Sequence, residues 1–432
     1  MILLRGYKFS EGGCRIDYDY TATGRAARFL DPSENFFVRY DVDVSGCPPS
    51  IVLIPFISNL ITLAWFGGFD LHVPEAESTY SESLKSMRAE FQRMYPQHRL
   101  TGNLVAERLT AVNWTGDSAV MLFSGGIDAF ATLIRHRDEP LQLVTIWGAD
   151  IELSDTQQWN RCLNHIARDP LSSTLPHTKI ATNLRTFYTH KVESDLVYGW
   201  WGKVQHGLAL LGLQAPLTYI YKANRVYIAS SYSVSVHGGW GSTKATDEKL
   251  KWGPVRCIHD ADALTRNAKV EIIVDCAKKR GQPIPLRVCY SEVQRDGNCG
   301  RCEKCYRSMM NLILTNADPR DYGFPMTEST YPHLLQLMSG IHSSSGLKIF
   351  WGEIAEDCQR ALARNQYFVL ADKAKESAYL QRIADGELNR ALERNHRPWK
   401  DAGARWKFIL RVRFPAFYNI GRGLVRQLRR FK

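Results

Sequence analysis

The spacing of apolar and polar positions divides the chain into three stretches. In the first, Cys14 to Tyr20 and Phe36 to Val44 alternate apolar with polar residues, as in Arg15-Ile16-Asp17-Tyr18-Asp19-Tyr20. Period-two alternation of this kind predicts half-exposed antiparallel strands. Ser45 to Pro49 is a turn or linker, and Ile51 to Phe66 reads as buried strands or a buried helix. Ser81 to Tyr95 has the spacing of an amphipathic helix and stops before Pro96.

From Ser118 the pattern changes. Val120-Met121-Leu122-Phe123 is a short all-apolar run of the sort that fills a parallel sheet, and a glycine turn and a helix over Ala129 to Arg137 follow it. A strand at Leu141 to Trp147, a helix at Asp155 to Arg168, a strand at Thr178 to Thr182, a helix at Val204 to Leu213 and a last sheet strand at Val226 to Ser230 continue the alternation. Beyond about residue 325 the spacing is helical, over Leu347 to Arg364 and Tyr367 to Arg394. The expected fold class is α/β, a mostly parallel sheet with helices on both faces over 116–325. A β-rich N-terminal α+β module at 1–115 and a helical C-terminal region at 326–432 flank it.

Composition adds two things. The net charge of +11 is concentrated past Asp401, where Arg405, Lys407, Arg411, Arg413, Arg422, Arg426, Arg429, Arg430 and Lys432 face no acid, so the body is close to neutral. That distribution argues against a general nucleic-acid binder. With Trp406, Phe408, Phe414 and Phe417 interleaved, the tail at 405–432 fits three uses: packing on the protein, contact with an anionic membrane surface, or grip on nucleic acid. No apolar run is long enough for a membrane span, and Arg5 and Lys8 interrupt the first nine residues, so no signal peptide is read. The expected location is cytoplasmic, peripheral at a membrane if the tail binds one, and there ten cysteines point to metal sooner than to disulfides.

Chemistry concentrates in two places. Ser124-Gly125-Gly126-Ile127-Asp128 stands between strand and helix. Two glycines let the backbone turn close to an anion, successive N–H groups and the helix N-terminus attract it, and Asp128 can hold Mg²⁺ against a phosphate. The loop matches neither the Walker A nor the dinucleotide pattern, and a plain tight turn is the competing reading. Further along, Cys289, Cys299, Cys302 and Cys305 form Cys-x9-Cys-x2-Cys-x2-Cys. Four thiolates without histidine suit tetrahedral Zn²⁺ in a closed site, with an iron–sulfur cluster as the rival.

The loop resembles the Ser-Gly-Gly-x-Asp-Ser loop of PP-loop ATP pyrophosphatases, except that Ala129 replaces the final serine. That removes one hydroxyl, so weakened but not abolished pyrophosphate binding is expected. Loop and knot together resemble 7-cyano-7-deazaguanine synthase and its relatives over about residues 118–320. The resemblance implies a PP-loop, adenine nucleotide alpha hydrolase-like fold and three cofactors: ATP, Mg²⁺ and Zn²⁺. It implies a ligase that joins a substrate carboxylate to AMP with release of pyrophosphate and then lets a nitrogen nucleophile displace AMP. Small-molecule or modified-base substrates, ammonia or an amine donor, and a homodimer are the partners it suggests.

Other residues are candidates on position alone. Trp240-Gly241-Ser242, His259-Asp260, Arg266 and Lys269 lie between the last predicted strand and the cysteines, where α/β sheets bind ligands. Arg266 or Lys269 can neutralise phosphate charge and Asp260 can hold a second Mg²⁺. The bland readings are a helix cap for His259-Asp260, a solvated helix face for Arg266 and Lys269, and a hydrogen-bonded interior position for His206. A tRNA-base-modifying enzyme and a non-catalytic nucleotide-binding or zinc-stabilised scaffold remain the alternative functions.

Overall fold

A computed structural model describes residues 1–231, 240–289, 297–341, 345–364 and 369–395. The basic tail at 405–432 lies outside the described residues, as do positions 232–239 of the loop before Trp240.

One eleven-stranded sheet carries the molecule. Its strands are β1 (Ile2–Ser10), β2 (Arg15–Ala22), β3 (Phe37–Tyr40), β4 (Leu71–Glu77), β5 (Leu104–Thr110), β6 (Ser118–Leu122), β7 (Leu141–Trp147), β8 (His177–Thr182), β9 (Ala223–Ala229), β10 (Lys251–Trp252) and β11 (Val255–Asp260). They lie in the order β10-β11-β9-β6-β7-β8-β3-β2-β1-β4-β5. Six of the ten pairings are parallel, so the sheet is mostly parallel with an antiparallel segment from β8 to β1.

Its five consecutive parallel strands are β8-β7-β6-β9-β11, which is 3-2-1-4-5 in chain order. The chain leaves β6 toward β7 on one side and later returns to β9 on the other. That reversal opens a crevice at the carboxyl end of β6, where sheets of this kind bind ligands. The sequence ended the sheet at Val226 to Ser230. The structure adds β11 beyond it, whose short Arg256-Cys257-Ile258-His259 run breaks the apolar pattern that marks a buried strand. His259 and Asp260 therefore end a strand and cap no helix.

Strand residues alternate between two cores because side chains point to opposite faces with period two. Ala119 and Met121 of β6 belong to one core and Val120 to the other; Leu143 and Val144 of β7 divide in the same way. The first core is covered by the helices Ile54–Gly67, Ser78–Met94 and His206–Gly212, the second by Ile127–Arg135, Arg266–Arg280 and Glu303–Leu314. Helices thus lie on both faces. Ile54–Gly67 is buried at every position, which explains its all-round apolar sequence.

The sequence draws a boundary near residue 115, yet the sheet runs across it. Val38, Arg39 and Tyr40 of β3 pair with Thr182, Ala181 and Ile180 of β8, and the Tyr40 hydroxyl donates to Leu213 O at 2.9 Å. Beyond residue 325 the chain is helical, in Thr330–Gly340, Ser345–Ala363, Lys373–Ala384 and Glu387–Arg394. The single run expected over Tyr367 to Arg394 is broken at Gly386, which takes φ +79° between two helices.

Candidate functional site

Ser124, Gly125 and Gly126 carry the chain from the end of β6 into the helix Ile127–Arg135. Gly125 takes φ +73°, and a Cβ there would meet the His165 ring at 3.1 Å, so glycine is required on two counts. Gly126 is the N-cap and supplies no side-chain acceptor to the first turn. That helix end keeps its N–H groups and its positive dipole end available to an anion. Arg287 braces the loop: its backbone N–H donates to Gly125 O at 2.9 Å, and its Nη1 lies 3.5 Å from Ser124 O.

Asp128, in the first turn, is met by two cations from the helix Arg266–Arg280. Arg266 Nη1 donates to its Oδ2 at 2.9 Å and Lys269 Nζ to its Oδ1 at 3.3 Å. The two cations lie three apart on one helix face, and Thr265 caps that helix by accepting from the Ala268 N–H. Burial would push the Asp128 carboxyl up, but Arg266 and Lys269 outweigh it and hold the carboxyl below its usual value. Burial pulls the Lys269 ammonium down, and its bond to Asp128 offsets this only in part. Arg266 also donates to Ser231 O, and Lys269 to Ser230 O. The helix face that the sequence left open between solvent and site is turned inward.

A cavity of about 370 Å³ opens on this loop. Ser124, Asp128 and Ala129 line it beside Arg266, Arg287, Lys304 and Arg307. Trp201, His206, Trp240 and Phe350 add flat surfaces, and Asp150 a carboxylate. The volume lies within the range of small-ligand pockets. Cations around a bare helix N-terminus suit a polyanion, and aromatic walls suit a flat ring.

His206 is on that wall. Among the described residues its buried Nδ1 has no hydrogen-bond partner, and its ring lies 5.2 Å from Trp201 and 5.8 Å from Trp240. Burial lowers its pKa, so the ring is neutral at pH 7. Burial likewise brings the Lys304 ammonium down to about 8, with Arg307 adding to the effect.

Asp260 is not brought to the cavity. Its Oδ1 lies 3.1 Å from His136 Nε2 and its Oδ2 3.2 Å from Arg135 Nε, and it is 5% exposed. Every oxygen that a second cation would need is already engaged. His259 also turns away, with Nδ1 2.8 Å from Asp247, the carboxylate that accepts from Ser242.

The four cysteines do converge. Sγ–Sγ separations are 3.9 Å for Cys289–Cys302, 3.8 Å for Cys299–Cys305 and 3.5 Å for Cys302–Cys305, and all four sulfurs lie within 4.8 Å of one another. A zinc tetrahedron with bonds of about 2.3 Å has edges of about 3.8 Å, so the set can hold that ion. No disulfide links them. Bonds from Cys305 first, and from its other neighbours, pull the Cys302 thiol down to about 5, while Cys305 is pushed up.

The knot and the cavity share their segments. Arg287 and Val288 precede Cys289, and Cys302 is the N-cap of the helix Glu303–Leu314, whose Lys304, Arg307 and Ser308 line the cavity. The sequence reading gave these residues no role. The i, i+3, i+4 spacing of Lys304, Arg307 and Ser308, which begins inside the cysteine motif, is the signal that was available for three of them. Arg287 and Phe350 carried none, because each reaches the loop only through tertiary packing. Among the described residues no helix is long and apolar enough to cross a membrane. A scan of protein-family models and searches of curated proteins and of solved structures each find no match to this chain.

Proposed function

We propose that the chain is an ATP-dependent, adenylate-forming ligase of the PP-loop type, related in its chemistry to 7-cyano-7-deazaguanine synthase. The observation that carries this reading is positional. The Ser124–Asp128 loop stands at the carboxyl end of the central strand of a 3-2-1-4-5 sheet, and Arg266, Arg287, Lys304 and Arg307 converge on the same cavity. Pyrophosphate on the loop N–H groups, phosphate charge on the arginines and a base against the tryptophans account for each part of the cavity.

In the reaction, a substrate carboxylate oxygen attacks the α-phosphorus of ATP. The α–β bridging bond breaks, pyrophosphate leaves with the electron pair, and an acyl adenylate forms. A nitrogen nucleophile then adds at the acyl carbon, AMP leaves, and the nitrogen loses a proton. Asp128, at the cavity and ionised beside Arg266 and Lys269, would hold Mg²⁺ by exchanging one of those two partners for the ion, which would supply charge neutralisation for the leaving pyrophosphate. Cys289, Cys299, Cys302 and Cys305 would hold zinc with four thiolates, which suits a structural ion, and the ion would tie the Arg287 segment to the Glu303–Leu314 helix.

The test is pyrophosphate release from ATP by metal-loaded protein, with nucleotide affinity measured alongside. Asp128→Asn should weaken Mg·ATP at least tenfold, the loss of one charged contact at a phosphate site. Protein that neither binds ATP nor releases pyrophosphate with any pool of carboxylate substrates defeats the reading. Elemental analysis giving iron instead of zinc overturns the metal assignment.

A further inference from the structure

We infer that Phe350, on the helix Ser345–Ala363 of the C-terminal region, is a positioning residue that holds two of the three arginines lining the anion cavity, Arg266 and Arg307. The inference rests on the nucleotide reading above and extends it to a part of the chain outside the two motifs that suggested it.

The Arg307 guanidinium carbon lies 4.0 Å from the Phe350 ring centroid and that of Arg266 5.6 Å from it. The ring is 8% exposed and lines the cavity. Two like charges drawn to one small volume repel each other, and the electron-rich face of an aromatic ring is a neutral partner that attracts both. Asp128 and Glu303 already give these arginines a carboxylate each, so the ring adds a further hold without adding negative charge to the cavity.

The neighbouring residue reinforces the contact. Trp351 is fully buried, and its Nε1 donates at 3.1 Å to Glu303 Oε1, the oxygen that lies 3.4 Å from Arg307 Nε. Successive residues of the C-terminal helix therefore fix Arg307 twice, once through a ring and once through a carboxylate. Arg266 is held from the sheet side by Asp128 and Ser231 O, with its Nε buried and without an acceptor among the described residues. Phe350 lies on its other side, and the helix Ser345–Ala363 is then part of the anion site.

The experiment is calorimetric titration of the full-length, zinc-loaded protein with inorganic pyrophosphate and with Mg·ATP, for wild type, Phe350→Ala, Phe350→Leu and Phe350→Tyr, with melting temperatures as a check on folding. Both Phe350→Ala and Phe350→Leu should raise the pyrophosphate Kd about tenfold, the size of a shielded cation–π contact, and Phe350→Tyr should stay within about twofold of wild type. A leucine variant that binds like wild type, or a tyrosine variant as weak as alanine, overturns the positioning role while the nucleotide reading stands. If alanine fails to fold, the leucine–tyrosine comparison decides alone. Wild type that binds neither ligand overturns both readings together.

Discussion

A side chain at position 125 has little room and the wrong backbone. With φ +73° and the His165 ring 3.1 Å from where a Cβ would stand, Gly125→Ala should cost about 1–3 kcal/mol, the usual toll of a left-handed non-glycine residue in a packed loop. Urea unfolding measures it, and a variant as stable as wild type would show that the loop relaxes freely. Four residues on, Ala129 is 5% exposed on the cavity wall, so Ala129→Ser places a hydroxyl where the PP-loop pattern it resembles has one. Pyrophosphate affinity should rise about tenfold, the worth of a hydrogen bond to a charged group. An unchanged Kd would mean that the hydroxyl points elsewhere. Residues of the first loop were legible in the sequence because their chemistry sits in consecutive positions. Arg287 and Phe350 were not, since no local spacing shows which distant side chain packs over a loop.

Elements raise a different question, namely what keeps the loop helix in place. The end of Ile127–Arg135 is tied to β11 through His136, whose Nδ1 lies 2.7 Å from Glu139 and whose Nε2 lies 3.1 Å from Asp260. Arg135 also pairs with Asp260, Arg225 with Glu139, and the Tyr227 ring stacks on the imidazole at 4.1 Å. Bonds to Asp260 and then Glu139 raise the His136 pKa against the pull of burial. A raised folded pKa gives stabilisation that is complete below the unfolded value of about 6.5 and is lost as pH climbs through the folded value. His136→Gln should therefore lag wild type most near pH 6 and least near pH 9, as read from urea midpoints. A gap that is constant with pH would assign the residue to packing alone. Strand β11 itself escaped the sequence reading because Arg256 and His259 break its apolar pattern, whereas β7 was placed to the residue by a run that only the uncharged Gln142 and Thr145 interrupt. The cysteine knot acts at this scale too. Stripping the zinc proposed for it should lower the melting temperature and weaken pyrophosphate binding together, because Arg287 and the Glu303–Leu314 helix would lose their common anchor. Loss of one without the other would separate knot from cavity.

At the scale of the whole molecule, the first core draws on both sides of residue 115. Ile54–Gly67 packs so closely on His206–Gly212 that a Cβ on Gly212 would lie 1.9 Å from Ser58 Oγ. Periodicity reports which residues are buried and not which strand lies beside which, so the continuous sheet was not readable from the chain. A fragment beginning at residue 116 should fail to fold cooperatively, since it exposes the pairing edge of β8 and one face of the sheet. Circular dichroism on such a fragment checks this, and a sharp thermal transition would show an independent unit.

The sheet also acts as a partition, with one core on each face. The cavity is a place where the partition ends: Trp201 reaches it from the first core, and Ile127, Ala129 and Val288 from the second. A ligand seated there works like a clasp, pinning two bodies of side chains that the sheet holds apart. Amide exchange should then slow on both faces at once when the cavity fills, in helices on opposite sides of the sheet.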